Sequence, residues 1–288
     1  MLRLAVATAA ETYERMQGPL SARDIEAAHV ETTKRTISLA DDDALGAAEF
    51  DVGFVYPSRL AEGGVADALL GVPWVNGRDE ILRSRHKGEA LARLSTAGVS
   101  TPETVVVSNP ADEDALTAAF ERFEGPVVVK PNSTTRGTGV TRAGDLDSFL
   151  GICDYLDLVH DYRATGDQSF LVQEYLPDAR DFRVMVVDGE AVGAVERRLP
   201  EEALAAGGWK HNVHRGAEAT AVDLNDDLRA LAEEAARAME IPWLGVDLLV
   251  TDDRAVVNET NARPTIDSAT KYEEGFWDDV AALVRAQQ

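Results

Sequence analysis

Two hydrophobic patterns alternate along the chain. Short apolar runs, such as residues 2–7 and 51–56, are typical of buried strands. Residues 146–161 and 224–239 instead carry their apolar side chains at helical spacing, so that they fall on one face. Both patterns recur throughout the chain, and the sequence contains no internal repeat. The sequence therefore predicts an α+β fold with an α/β layer at the N-terminus.

The chain is expected to fold as three contiguous units with short connections. The stretch Gly71-Val72-Pro73-Trp74 interrupts the pattern after the N-terminal layer, and a helix is predicted over 86–97. A strand predicted over 170–176 meets Pro177, which cannot continue a central strand. These features lead us to expect an N-terminal unit at 1–80, a central unit at 81–172 and a C-terminal unit at 173–288.

Three oxygen-bearing side chains are predicted to converge on the last hairpin. Its strands are predicted over 244–250 and 255–261, and a loop of three or five residues would set Asp247 opposite Glu259, about 5 Å away. Asn261 shares their face because strand side chains alternate. Facing carboxylates repel each other unless a cation lies between them, and oxygen ligands favour Mg²⁺ or Mn²⁺. The alternative is a solvated row of polar side chains on an outer sheet face.

A loop rich in glycine and hydroxyl side chains follows a β-branched strand. The segment GPVVVKPNSTTRGTGV, at 125–140, carries Lys130 near the end of that strand. Glycines let backbone N–H groups approach phosphate oxygens, and a lysine adds positive charge to the same place. The segment contains neither of the patterns GxxxxGK[ST] and GxGxxG. It predicts either a phosphate site or a hairpin loop that needs positive φ.

The sequence Gln173-Glu174-Tyr175-Leu176 ends a predicted strand just before a proline. Backbone groups at such an edge can pair with a purine, and the carboxylate of Asp181 downstream can accept hydrogen bonds from ribose hydroxyls. An ordinary amphipathic strand explains the same residues equally well.

Residues 181–198 predict a second hairpin, which turns at Asp188-Gly189. Asp181 and Arg183 share a face, and Arg197 joins them only if the loop has an odd number of residues. We expect the odd loop. Two arginines beside a metal site would stabilise a transferred phosphoryl group, whereas the alternative is a pair of surface ion pairs that contribute little.

The sequence WKHNVHRG, at 209–216, predicts a polar loop that includes Asn212. Its two histidines do not predict a zinc site, because no cysteine or further histidine nearby completes a tetrahedral ligand set. The loop is expected either to contact phosphate or substrate or to be a solvated turn.

The charge balance argues against a nucleic-acid partner. Asp and Glu number 51 against 28 Lys and Arg, which gives a net charge of −23, and such a chain repels a phosphate backbone. An acidic, lysine-poor surface of this kind is what a salt-rich cytoplasm favours.

The remaining composition predicts a cytoplasmic protein without a membrane partner. The single cysteine, Cys153, shares a helical stripe with apolar residues and is expected in the core, as in a reducing compartment. No apolar run approaches the ~20 residues that a membrane-spanning helix needs.

In this order, the motifs resemble those of the ATP-grasp superfamily and, within it, the RimK-type glutamate ligases. They extend from about residue 78 to the C-terminus. The motifs, in order, are SRHKGEALARLSTAGVSTPET, VVVKPNSTTRGTGV, LVQEYL, DFRVMVVDGEAVGAVERR, WKHNVHRGA, GVDLLV and NETNARP. The resemblance implies an ATP-grasp fold with a pre-ATP-grasp domain at 1–80, a lid subdomain at 81–172 and a catalytic subdomain at 173–288.

The resemblance also implies roles for individual residues. The residues expected to bind ATP are two lysines at the phosphates, a loop that closes over them, the adenine-binding hinge and a ribose contact. In that order they are Lys87 and Lys130; Arg136, Gly137, Thr138 and Gly139; Gln173, Glu174 and Tyr175; and Asp181. The catalytic contacts to phosphate and acyl phosphate are Arg183, Arg197 and Asn212. Asp247, Glu259 and Asn261 are expected to hold two Mg²⁺ (or Mn²⁺) ions.

The implied activity is that of an ATP-dependent carboxylate–amine ligase. The γ-phosphoryl group of ATP would move to a substrate carboxylate, and an amine would attack the acyl phosphate to give an amide. Amino acids or small carboxylates and amines are the expected substrates, and a homo-oligomer is possible in such families. The alternatives are an ATP-grasp phosphotransferase and an ATP-binding module without turnover.

Two segments depart from the RimK pattern. Arg263-Pro264-Thr265 stands where a small residue, Pro and Gly are usual, and Gly216-Ala217 replaces paired glycines. Residues 1–80 also match poorly. Since these regions shape the acceptor side, the sequence leaves the acyl and amine substrates open.

Overall fold

A computed structural model describes residues 1–40, 44–46, 50–134, 137–160, 168–211, 213 and 216–288. Its helices and strands confirm the α+β fold expected from the sequence. Among the described residues, no helix is both long enough and apolar enough to cross a membrane.

The N-terminal unit is a parallel sheet with the strand order β2-β1-β3-β4. Its strands are β1 (Leu2–Val6), β2 (Ile25–His29), β3 (Val52–Phe54) and β4 (Trp74–Val75), and its helices are α1 (Ala10–Ser21) and α2 (Leu60–Leu70). Because the sheet is parallel, β1 and β3 end at the same edge, where Ala7 donates its N–H to the carbonyl of Phe54 over 3.1 Å.

The chain then forms α3 (Arg78–Arg85) and α4 (Lys87–Thr96), which contact elements of the C-terminal unit. The buried side chains of Ile81 and Leu94 join the core that the N-terminal and C-terminal sheets share. In that core Phe54 and Trp243 lie with their ring centroids 5.4 Å apart. Helices α3 and α4, where the matching motifs begin, therefore pack into the same core as the C-terminal sheet, where the motifs end.

The central unit is an antiparallel sheet with the order β5-β8-β6-β7. Its elements are β5 (Thr104–Ser108), α5 (Glu113–Phe120), β6 (Val127–Pro131), β7 (Thr141–Ala143), α6 (Leu146–His160) and β8 (Ser169–Glu174). It has a separate core, in which Cys153 is buried beside Phe149 as the sequence predicts. The boundary expected at residue 172 falls inside β8; the division into three units stays a proposal.

The C-terminal unit is built on a sheet with the order β11-β10-β9-β12-β13, and β14 pairs with β10. Its strands are β9 (Arg180–Val187), β10 (Glu190–Arg198), β11 (Glu218–Ala221), β12 (Trp243–Val250), β13 (Ala255–Asn261) and β14 (Lys271–Tyr272). Its helices are α7 (Glu201–Ala205), α8 (Asp226–Met239) and α9 (Phe276–Arg285). Helix α8 packs against β9, β10, β12 and β13.

The β9–β10 turn differs from the expected odd loop. Val187 pairs with Glu190, so the loop is only Asp188-Gly189, and both residues have positive φ (48° and 88°). Such a two-residue turn would send Arg197 to the wrong face. A bulge between Ala191 and Gly193 shifts the register by one residue, and Asp181 then pairs with Arg197.

The β12–β13 hairpin reaches its expected pairing in the same way. Val250 pairs with Ala255, so the loop has four residues rather than three or five. A bulge that contains Asn258 restores the pairing of Asp247 with Glu259. The expected loop lengths were wrong in both hairpins, because each extra residue lies within a strand and not in the turn.

Candidate active site

A first cleft lies between the central sheet and the C-terminal sheet. Predicted ATP-binding residues from both sheets line it. They are Lys87, Lys130, Gly137, Gln173, Glu174, Tyr175 and Asp181, together with Arg197, Asp247 and Glu259 of the predicted catalytic and metal sets. Residues spread over more than 170 positions of sequence are thus brought to one cavity.

Lys130 is the buried cation of the first cleft. Its Nζ donates to Gln173 Oε1 over 2.5 Å and to Asn258 Oδ1 over 2.8 Å. Burial lowers the pKa of this lysine to about 8, and the positive charge of Lys87 acts in the same direction, while Glu259 opposes it. A phosphate group placed here would gain a charge-assisted contact and would favour the protonated lysine.

Lys87 begins α4 and is also buried, and its Nζ lies 3.4 Å from Glu259 Oε1. The same Nζ donates to the carbonyl of Thr134, the last described residue before Thr135 and Arg136. Lys87 therefore connects the predicted phosphate loop to the carboxylate of the last hairpin.

Four side chains form a buried network of alternating charge on β9, β10 and β12. Arg183 donates to both oxygens of Asp247, over 2.7 and 2.8 Å. Arg197 Nε donates to Asp181 Oδ1 over 2.7 Å, and its Nη2 lies 3.0 Å from Asp247 Oδ2. Register explains the arrangement, since β9 pairs Arg183 directly with Asp247 and β10 pairs Arg197 directly with Asp181.

The two carboxylates of this network have opposite pKa shifts. Burial raises the pKa of Asp181 to about 7, although Arg197 works against this change. Burial acts on Asp247 in the same sense, but the guanidinium groups of Arg183 and Arg197 outweigh it and lower its pKa. Asp247 is therefore the carboxylate that stays ionised, as a metal ligand must.

The predicted metal set is compatible with a divalent cation in its position and in its donor atoms. Asp247 and Glu259 face each other across the hairpin, and Asn261 lies two residues further along the same strand face. Glu259 is the most accessible of the carboxylates, with 37% of its side chain exposed. No group of three or more His, Cys, Asp and Glu that could hold a metal occurs in the described part of the chain, so the amide of Asn261 is needed to complete the set.

A second cleft lies on the other side of the shared residues Lys87, Gly137, Arg197, Asp247 and Glu259. Arg183 and Asn261 line only this second cleft. Away from the residues that both clefts share, the second cleft is bounded by Ser58 and by residues around Arg263, where the sequence departs from the RimK pattern. Lys87, Arg197, Asp247 and Glu259 thus form a wall between the two cavities.

Other predicted residues lie elsewhere. Arg136 and Asn212 lie outside the described residues. Thr138 and Gly139 line neither cleft; the carbonyl of Thr138 accepts a hydrogen bond from Thr134 Oγ1 over 2.8 Å. Gly139 has φ of 75°, and a Cβ there would lie 2.7 Å from Pro131 Cγ, so the loop needs glycine at this position.

The structure adds residues that the sequence did not single out. Asn258 accepts the hydrogen bond from Lys130 and lines the first cleft, and its only sequence signal is its place beside Glu259. Trp209 lines the same cleft and packs edge-on against Tyr175, with ring centroids 5.7 Å apart. Arg142 lies 4.9 Å above the Tyr175 ring. The predicted polar loop therefore contacts Tyr175, one of the residues predicted to bind adenine, through an aromatic contact.

Comparison with known proteins agrees with this geometry. The family described as the RimK-like ATP-grasp domain matches residues 84–278. A probable alpha-L-glutamate ligase of Saccharophagus degradans is 33% identical over 226 residues, which cover 75% of this chain and 67% of that protein. A ribosomal protein bS6–L-glutamate ligase of Escherichia coli O139:H28 is 32% identical, over 70% of this chain and 64% of its own length. The chain thus spans about two thirds of the length of these relatives.

A solved structure shows the same fold over the whole chain. The RimK domain ATP-grasp protein of Sphaerobacter thermophilus superposes with a TM-score of 0.69 at 24% sequence identity, and the match covers 99% of this chain and 98% of that one. The resemblance inferred from the motifs is confirmed, and so is the assignment to a ligase family. The chain belongs to the RimK-like ATP-grasp family.

Proposed function

We propose that this protein is an ATP-dependent carboxylate–amine ligase that works through an acyl phosphate. The observation that carries the proposal is the wall of Lys87, Arg197, Asp247 and Glu259 that two clefts share. A nucleotide in the first cleft and a carboxylate in the second would meet at this wall, so that a phosphoryl group could pass between them without crossing solvent.

In this proposal the first cleft binds ATP. Gln173, Glu174 and Tyr175 surround the adenine, Asp181 contacts the ribose, and Lys87 and Lys130 bind the phosphates. Tyr175 and Trp209 would pack against the base, since aromatic side chains stack on purines. Arg136, Thr138, Gly139 and Asn212 keep their proposed phosphate roles; Arg136 and Asn212 lie outside the described residues.

Asp247, Glu259 and Asn261 would hold two Mg²⁺ ions, which supply charge neutralisation for the phosphate oxygens. Arg183 and Arg197 already contact Asp247, so they hold its carboxylate in place within the wall and would add positive charge where the phosphoryl group transfers.

The proposed reaction has two steps. An oxygen of the substrate carboxylate attacks the γ-phosphorus, the bond to the β–γ bridging oxygen breaks, and ADP leaves. The amine nitrogen then attacks the carbonyl carbon; a C–N bond forms, the bond to the phosphate oxygen breaks, and phosphate departs with the electron pair while the amine loses a proton. The chain provides position and charge, and no covalent enzyme intermediate is required.

The names of the relatives suggest the substrate class. They are glutamate ligases, and the name of one of them includes a ribosomal protein. We propose that this protein adds an amino acid such as glutamate to a carboxylate of a peptide, protein or small molecule, and that it does so in the cytoplasm.

A substrate screen tests the proposal. Purified protein is incubated with Mg²⁺, ATP and mixtures of amino acids and short peptides; ADP release is recorded, and products are identified by mass spectrometry. A ligase gives an amide together with ADP. ADP release without any amide would favour a phosphotransferase, and ATP binding without ADP release from any mixture would favour a binding module.

A single substitution tests the role of the wall. Glu259→Gln should abolish ADP release while the fold persists, because the Glu259 side chain is 37% exposed and its only ion pair among the described residues is the 3.4 Å contact to Lys87. Asp253→Asn, at the exposed turn of the same hairpin, removes the same charge away from both clefts and should keep full activity. Undiminished turnover in Glu259→Gln would refute the metal assignment.

A further inference from the structure

The arginines of the second cleft fall into two classes. Arg183 and Arg197 are paired with the carboxylates Asp181 and Asp247. Arg85 and Arg263 also line this cleft, yet within the described part of the chain neither forms an ion pair, and both donate to backbone carbonyls. Two positive charges of the cleft therefore lack an acidic partner in a protein of net charge −23.

Arg263 is held in place by the N-terminal unit. Its Nη1 donates to the carbonyls of Val55 (3.3 Å) and Tyr56, and its Nη2 donates to the carbonyl of Ala7 over 2.8 Å. These carbonyls follow β1 and β3 at one edge of the parallel sheet. Three of the five guanidinium N–H groups are thereby used, and the side chain cannot turn toward a ligand without losing them.

Arg85 ends α3 and has far more free donor capacity. Its only hydrogen bond among the described residues runs from Nη2 to the carbonyl of Ser58, over 2.5 Å. Four of its five N–H groups have no acceptor in the part of the chain that the structure describes. The hydrogen bond to Ser58 fixes the direction of the Arg85 side chain, so the remaining N–H donors are held in place and can donate to a ligand.

The two guanidinium groups also repel each other. Burial and, to a smaller extent, the positive charge of Arg85 together lower the pKa of Arg263 to about 10. Burial likewise lowers the pKa of Arg85. Like charges in a cleft are unfavourable unless an anion compensates them, and a planar carboxylate matches the fork of an arginine side chain.

Basic side chains outnumber acidic ones in the second cleft, whereas acidic residues outnumber basic ones in the whole chain. Five basic side chains (Arg85, Lys87, Arg183, Arg197 and Arg263) and four acidic ones (Glu11, Asp247, Glu259 and Asp267) line it. The chain overall has 28 basic and 51 acidic residues. The local reversal favours entry of a negatively charged substrate.

We propose that Arg85 binds a substrate carboxylate that the reaction leaves untouched, and that Arg263 is a positioning residue whose fixed charge strengthens this contact. The inference rests on the proposed ligase function and specifies its substrate class: an amino acid that keeps a free carboxylate when the amide forms. Such a carboxylate is either the side-chain or the α-carboxylate of the amino acid. Arg263 stands in the segment that departs from the RimK pattern, whereas Arg85 lies in the motif SRHKGEALARLSTAGVSTPET.

Direct binding tests the proposal without turnover. The full chain, with Mg²⁺ and a non-hydrolysable ATP analogue, is titrated calorimetrically with L-glutamate, L-glutamine and L-isoglutamine. Glutamine lacks the side-chain carboxylate and isoglutamine lacks the α-carboxylate, so the weaker of the two amides identifies the group that Arg85 binds. We expect one amide to bind at least about 10-fold more weakly than glutamate, as for loss of a charged partner.

Arg85→Gln should weaken glutamate binding by at least about 10-fold and should remove the preference over the weaker amide. Affinity for the ATP analogue should change less than about 2-fold, since Arg85 does not line the first cleft. Arg85→Lys keeps the positive charge but loses the forked guanidinium group, so its affinity for glutamate should lie between those of the wild type and Arg85→Gln. Arg59→Gln is the matched control, because this neighbouring arginine is 63% exposed and outside both clefts.

The outcomes separate the inference from the proposed function. Glutamate binding that Arg85→Gln leaves unchanged, in a variant whose circular dichroism and melting temperature match the wild type, overturns the role of Arg85, even if amide synthesis is observed. Failure of all three probes to bind the wild type overturns it as well. Carboxylate-dependent binding that needs Arg85 supports it, even if the screen shows no ligase activity.

Discussion

The buried network around Arg197 gives a stability prediction with a definite size and pH dependence. The side chains of Arg197 and Asp181 are only 8% and 12% exposed. Arg197→Met removes the only cation that is paired with Asp181 among the described residues, while Asp247 keeps both hydrogen bonds from Arg183. One buried carboxylate is thus left without a partner, and breaking a buried pair in this way costs about 3–5 kcal/mol.

The loss should depend on pH, because Asp181 can escape the penalty by binding a proton. Its pKa is already raised to about 7 by burial, despite Arg197. Without Arg197 the folded-state pKa rises further above the unfolded value of about 3.9, so the folded variant binds more protons and loses stability as pH rises. We expect a loss of about 3–5 kcal/mol at pH 8.5 and about 1–3 kcal/mol at pH 6, where the neutral carboxyl only lacks hydrogen bonds.

Urea denaturation at the two pH values measures these differences, with the buried Trp243 as a fluorescence reporter. Arg180→Met, on the neighbouring strand β9, is the matched control. Arg180 also makes a double hydrogen bond to a carboxylate on β10, Glu196, but its side chain is 55% exposed and Glu196 keeps Arg198 at 2.8 Å. The control should lose less than about 1 kcal/mol. An Arg197→Met variant that loses no more than the control, or the same amount at both pH values, would refute the reasoning.

Two further predictions concern the first cleft and the β10 bulge. Burial lowers the pKa of Lys130 to about 8, so this lysine loses its charge and the KM for MgATP should rise as pH increases through 8. Lys130→Arg stays charged and should make the KM less dependent on pH. If the variant shows the same pH profile as the wild type, the result would argue against a phosphate contact of Lys130. At Gly193, a Cβ would lie 2.4 Å from the carbonyl oxygen of Lys271, so Gly193→Ala should lower the free energy of unfolding by about 1–3 kcal/mol in urea titration. Gly151→Ala in helix α6, where a Cβ would meet nothing within 4 Å, should instead stabilise by about 0.5–1 kcal/mol, and equal effects of the two substitutions would contradict the crowding at the bulge.

Much of the functional site could be predicted because its residues stand in short motifs. Lys87, Lys130 and Gln173–Tyr175 lie at the ends of strands or helices, and the positions of these elements follow from hydrophobic pattern alone. The order of the motifs was sufficient to identify the RimK-like family. The same order predicted an ATP-grasp fold, which the solved neighbour shares.

The register of the two hairpins could not be predicted in this way. The bulge at Val192 lies where β14, about 80 residues further along the chain, pairs with Gly193 and Ala194. The bulge at Asn258 lies where Lys130, 128 residues earlier, donates to its side chain. Neither partner is visible in the local sequence. The predicted pairs of facing side chains were therefore right, although the loop lengths from which they were predicted were wrong.

The sequence by itself determined the residue types, their order and hence the family, because local hydrophobic periodicity and short motifs carry that information. Only the tertiary structure decided which charges neutralise each other, because burial and pairing depend on neighbours distant in sequence. Arg183 and Arg197 are paired with carboxylates, whereas Arg85 and Arg263 contact only backbone carbonyls among the described residues. Residue type alone does not separate these two pairs; their packing does.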